Sequence, residues 1–284
     1  MNYENYEFLR SLPDDQDSEK EYERRRYSWG KLDSGLKVNG NRLFSIPTLL
    51  IQKLTEEVYK NSAKIIKNNE LRQYTVPDQA WKFSMFGSIE ASYKLNGLTP
   101  TLKELSKAYN SLESKRSKPY KGIVKEYVHC IDDAFDGAKP YDDDISDFKI
   151  VDIKRAIFGQ DYDQSIDRNT ADWISLYNNY NESIYTELPN LPKAFMLYYH
   201  NLATQPAETR DSRFANFVIT DILMKELDIW TGLGFVSQVL EDFGQVRLMF
   251  MQTNLKENMG DCTIWVETML ELILRAQELL LEDD

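Results

Sequence analysis

The chain is short of the residues that staple or coordinate. It has two cysteines in 284 residues, Cys130 and Cys262, far apart and in no zinc or redox spacing. That excludes a disulfide-built scaffold and leaves either one disulfide or two reduced buried thiols. No apolar run approaches the roughly 20 residues of a membrane span. Met1 to Pro13 is polar and acidic, without the basic-then-apolar order of a secretion signal, so a cytoplasmic protein with no membrane partner is expected. Basic residues are also in deficit, 34 against 46 acidic, for a net charge of −12. Affinity for DNA or RNA comes from neutralising phosphates, so a nucleic-acid partner is not expected; the acidic balance does not exclude a local basic pocket for one nucleotide. No strongly alternating strand pattern and no internal repeat is visible. What the chain does have is 42% hydrophobic and 12% aromatic residues, ample for a core.

Its length fits one large domain, or one domain with an appended lobe, because single cores stop growing near about 250–300 residues. Three regions are expected: a charged N-terminal arm over 1–40, a helical region over 41–115, and a helical core with C-terminal helices over 116–284. In the arm, Asp14, Asp15, Asp17, Glu19, Glu21 and Glu23 precede Arg24, Arg25 and Arg26, with Tyr22, Tyr27 and Trp29 interleaved. That pattern suits a solvated helix or flexible arm, or a partner-binding arm anchored by aromatics.

From Pro47 the periodicity is helical almost throughout, so the fold class is all-α. Pro47 is placed in the first turn of a helix through Ile65 and Ile66. Pro77 precedes a second helix over 80–95, ended by Gly97, and Thr99 or Thr101 caps a third reaching about Ser111. Further helices are expected over 120–135, 150–158 and 173–184. Then come 194–202, 217–227, a helix from Val236 or Ser237 to Phe250, and 263–281.

Three stretches carry a family likeness. The first is Gln205-Pro-Ala-Glu-Thr-Arg-Asp-Ser-Arg-Phe-Ala-Asn216, between two apolar helical segments. The second is Ser88 to Pro100, with Ser92, Asn96 and Gly97 before a Thr-Pro turn. The third is Gly260-Asp-Cys-Thr-Ile-Trp265, opening an apolar helix with Val266, Met269, Leu270 and Ile273. Together they resemble the Fic family over about residues 45–280. The catalytic loop of that family reads H-P-F-x-x-G-N-G-R-x-x-R. The resemblance implies a Fic-like helical bundle (Fido fold) with an N-terminal inhibitory-type helix and a C-terminal helical extension.

The likeness also shows where the family chemistry has gone. Pro206 and Arg213 match; Gln205 stands at the catalytic His, Ala207 at the Phe, and Thr209 at the acidic metal ligand. Arg210, Asp211 and Ser212 replace Gly-Asn-Gly, and Asn216 replaces the second Arg. An amide does not titrate, so Gln205 cannot act as general base. Thr209 offers Mg²⁺ only a neutral hydroxyl, and Arg210 puts a side chain where close backbone approach is needed. In the inhibitory stretch Asn96 stands at the family's Glu, whose ion-pair partner would be the second Arg, here Asn216. Both charges are therefore missing together. A lone buried charge costs about 3–5 kcal/mol, whereas two facing amides can hydrogen-bond neutrally. Neither His200, five positions before Gln205, nor His129 stands where the family His belongs. The family's target-docking hairpin is not recognisable between Gly159 and Thr170.

The resemblance thus implies a Fic-fold pseudoenzyme, without AMP transfer (AMPylation), that binds a protein partner or a nucleotide. A first alternative is a diverged nucleotidyl or phosphoryl transferase acting on a protein hydroxyl, with ATP and Mg²⁺ as cofactors and Glu208 or Asp211 as base. A second is an all-helical interaction protein unrelated to Fic. Residual nucleotide binding is expected on Arg210, Asp211, Ser212 and Arg213, a regulatory contact on Ser92, Asn96 and Asn216, and no resident metal site.

Overall fold

The computed structural model describes residues 23–25, 27–28, 30–72, 77–113, 190–204, 212–255 and 258–282. The helices expected over 120–135, 150–158 and 173–184, with His129 and Cys130, lie outside the described residues.

Two strands are present among the described residues, which corrects the expectation of no strand. β1 (Leu32–Val38) and β2 (Asn41–Ser45) pair antiparallel, Leu32 with Ser45 and Val38 with Asn41. The Asn39-Gly40 turn has φ of 52° and 81°, the doubly left-handed backbone that matches strand twist in a two-residue hairpin. Leu32, Ser34, Leu36 and Val38 all face inward. The alternation was hard to see because Ser34 fills an inward slot. Its hydroxyl donates to the Leu43 carbonyl and accepts the Leu36 N–H, serving the backbone where the ladder bulges between Asp33 and Lys37. Leu32, Leu36 and Val38 of this hairpin are part of the hydrophobic core.

After the hairpin, the helices among the described residues are α1 (Leu49–Arg72), α2 (Pro77–Lys94), α3 (Leu102–Glu113), α4 (Asn190–Ala203), α5 (Arg213–Glu226), α6 (Ile229–Glu241), α7 (Phe243–Thr253) and α8 (Thr263–Glu282). Pro47 stands before α1, not in its first turn. Thr48 is the cap, its hydroxyl accepting the Ile51 N–H at 3.1 Å. Thr101, not Thr99, caps α3 reciprocally with Glu104: each side chain accepts the other's backbone N–H. The expected helix from Val236 or Ser237 to Phe250 is instead two. Asp228 starts α6 early by accepting the Thr231 N–H at 2.7 Å, and Asp242, at φ −95° and ψ 23°, breaks the run before α7.

α4 and α5 pack together at the centre as their apolar faces require, with Phe195, Leu197, Phe217, Ile219, Ile222 and Leu223 buried and Leu202 half-buried. Every residue of α5 from Arg213 to Met224 is buried. α8 crosses α1, α4 and α6 and is anchored by Trp265, whose indole N–H donates to the Phe195 carbonyl at 2.9 Å. Tyr198, Tyr199 and Phe250 pack round that indole with ring centroids 5.8–6.1 Å away. Asp261 starts α8 by accepting the Thr263 N–H at 2.9 Å. The turn before it closes on β2: Phe44 donates to the Gly260 carbonyl and Cys262 donates back to Phe44. Gly260 has φ of 92°, and a Cβ there would lie 2.2 Å from the Arg42 carbonyl oxygen. Among the described residues, no helix is long and apolar enough to cross a membrane.

Candidate functional site

The C-terminal end of α2 meets the N-terminal end of α5. α2 stops because Gly97 takes φ of 73°, letting Leu98 donate back to the Tyr93 carbonyl and Gly97 to the Lys94 carbonyl. This winds Asn96 into the closing turn and aims its side chain at α5. Its Oδ1 accepts the Ser212 N–H at 2.7 Å; its Nδ2 donates to the Ser92 carbonyl at 2.7 Å and the Ser212 hydroxyl at 3.2 Å. One amide thus serves a helix-end carbonyl of α2 and the N-cap N–H of α5. The negative end of α2 faces the positive end of α5, so the helix dipoles favour the contact.

Asn216, one turn into α5 and fully buried, completes the junction. Its Oδ1 accepts from the Tyr198 hydroxyl at 2.9 Å. Its Nδ2 donates to the Ser92 hydroxyl at 3.2 Å and the Ser212 hydroxyl at 3.3 Å. Burial pushes the Tyr198 phenol far above its ordinary range, which keeps it a neutral donor. Ser212 makes no side-chain cap to its own helix; its hydroxyl is held by the two amides. Ser92, Asn96, Ser212, Asn216 and Tyr198 therefore form one neutral network with its donors and acceptors matched.

The expected regulatory residues, Ser92, Asn96 and Asn216, are brought together. One detail differs: the two amides are joined through Ser92 and Ser212 instead of facing each other directly. Of the expected nucleotide-binding residues, Ser212 and Arg213 lie at the start of α5. Arg213 is 6% exposed, with its guanidinium carbon 5.2 Å from the centroid of the Tyr93 ring. Gln205, Glu208, Thr209, Arg210 and Asp211 lie outside the described residues. His200 is buried on α4, where its carbonyl accepts from Thr204. Among the described residues no group of three or more His, Cys, Asp or Glu is placed to hold a metal ion.

Two participants were not picked out from the sequence. Tyr198 sits within an apolar helical stretch and looks like any core aromatic. Tyr93 is the neighbour of Ser92, and nothing in the sequence pairs it with Arg213. No protein-family model matches the chain, and no curated protein matches it.

Proposed function

We propose that this chain is a Fic-like pseudoenzyme that has lost AMP transfer and works by binding a nucleotide or a protein partner. The observation that supports this reading most is the placement of Asn96. It lies at the end of α2, on the N–H of Ser212, the N-cap residue of α5, and in one network with Asn216. These are the two positions where the resemblance calls for an inhibitory Glu and its Arg. A junction built from amides and hydroxyls keeps the helix contact without either charge, whereas losing one charge alone would strand the other. Gln205 removes the base and Thr209 removes the metal carboxylate, so transfer chemistry is not expected. Arg213, with Arg210 three positions earlier in sequence, is the cationic group that would take a phosphate at the start of α5.

Calorimetric titration of the full chain with ADP and ATP, with and without Mg²⁺, tests this reading. Binding that does not need the metal, or none with a protein partner required instead, fits a pseudoenzyme. Strictly Mg²⁺-dependent binding that disappears in Asp211→Ala would replace it with a diverged transferase.

A further inference from the structure

Among the described residues, α7 packs on α6 and α8 with one side only. Val246 and Thr253 are buried there, and Met249 and Phe250 pack half-buried against the core. On the opposite side Gly244, Leu248, Met251 and Leu255 recur at spacings of four, three and four, the narrow seam along which two helices pair. Leu248 is 52% exposed, Met251 57% and Leu255 41%. Leu255 lies just past the helix, but its N–H still donates to the Gln252 carbonyl and continues the winding. A Cβ on Gly244 would meet nothing within 4 Å, so that end of the seam is open as well. A contiguous apolar seam facing water marks a contact surface.

Charge and residue order both point to a second copy of this chain as what covers it. With a net charge of −12, most close approaches between two copies are repulsive. Phe243 to Leu255 holds no acidic residue, and its one charged residue is Arg247. The seam is also symmetric about the Met249–Phe250 peptide. In an antiparallel pairing on a twofold axis there, Leu248 meets Met251 of the second copy, and Gly244 leaves room for Leu255 of the second copy. At the flanks Arg247 falls beside Asn254 of the second copy and Gln245 beside Gln252 of the second copy, so no like charges oppose.

We propose that α7 is a homodimer contact, in which two copies of this chain pair antiparallel along Gly244, Leu248, Met251 and Leu255. Four residues a side make a short contact, so the dimer is weak, with a Kd of about 10–100 μM. This pairing goes beyond the proposed function and does not depend on nucleotide binding.

Sedimentation equilibrium of the full chain, at about 5 to 500 μM to bracket that Kd, is the test. The mass should rise from monomer to dimer with concentration, and rise more steeply in added salt, which screens repulsion between acidic chains. Leu248→Glu and Met251→Lys should each hold the chain at monomer mass, with circular dichroism unchanged because both residues are exposed. Leu279→Glu, at a comparably exposed leucine of α8, should leave the dimer intact. Mixing the Leu248→Glu chain with the Met251→Lys chain should restore the dimer, because the two new charges meet across the antiparallel seam. Monomer mass at every concentration overturns the proposal, as does a dimer that survives Leu248→Glu or is lost in Leu279→Glu. A parent dimer whose two single variants do not recover on mixing overturns the antiparallel order of the seam.

Discussion

Asn96 Oδ1 accepts the backbone N–H of Ser212 at 2.7 Å, across 116 positions of sequence. The same side chain donates to the Ser92 carbonyl, so it works both helix ends at once. Asn96→Ala should leave a partly buried N–H and a carbonyl unserved and cost about 1–3 kcal/mol. Urea denaturation should show this as a lower midpoint with unchanged slope.

Restoring one charge should be worse than restoring two. Asn96→Glu and Asn216→Arg should each destabilise, because a charge placed in a neutral, buried network lacks its partner. The double variant should recover part of the loss, with a favourable coupling of about 1 kcal/mol or more in a double-mutant cycle. Simple additivity would mean that the two positions do not face one another as an ion pair requires.

Gly260→Ala should destabilise by about 2–4 kcal/mol, since it combines a left-handed backbone with overlap on a neighbouring carbonyl. Gly40 is the control: its φ is 81°, but a Cβ there would meet nothing within 4 Å. Gly40→Ala should therefore carry only the backbone cost, about 1–2 kcal/mol. Equal effects in thermal unfolding would contradict the close packing of the Gly260 turn on β2.

Two carboxylates should respond to pH in opposite senses. The Thr101 backbone N–H, and then its hydroxyl, hold the Glu104 carboxyl below its ordinary 4.5. The stability it gives is present above 4.5 and lost as pH falls through the lower folded value. Burial holds Asp228 above its ordinary 3.8, despite bonds from Thr231 and Ser62 that favour the charged form. Its contribution is full below 3.8 and lost as pH rises through the raised value. In acid titrations of stability, Glu104→Gln should remove the first trend and Asp228→Asn the second. At neutral pH, Asp228→Asn should stay within about 1 kcal/mol of the parent because Asn still caps α6. Loss of both trends in one variant, or neither in either, would contradict this assignment.

Much of the helical framework was legible in the sequence because its signals are local. Gly97 ends α2, Thr101 opens α3, Asp261 and Trp265 open α8, and the apolar faces of α4 and α5 mark a central pair. The hairpin was not legible: its inward Ser34 looks polar until its hydroxyl is seen bonded to the backbone. Nor was the early start of α6, which depends on Asp228 capping a turn directly after α5. At the candidate site, the nearness of Asn96 to the start of α5 was an expectation of the family resemblance, not of periodicity. That Ser92 and Ser212 would bridge the two amides, and that Tyr93 would cover Arg213, are tertiary facts with no local signature.

The proposed pseudoenzyme reading requires that the folded chain not transfer AMP to protein. Incubating the folded full chain with radiolabelled ATP and Mg²⁺ or Mn²⁺, alone and with added proteins, tests it most directly. General-base loss by itself slows such reactions about 10²–10⁴-fold, and Thr209 removes the metal carboxylate as well, so no label should enter protein above the background of heat-denatured chain. Label that enters protein and disappears in Glu208→Ala or Asp211→Ala would contradict the account and make the chain a diverged transferase.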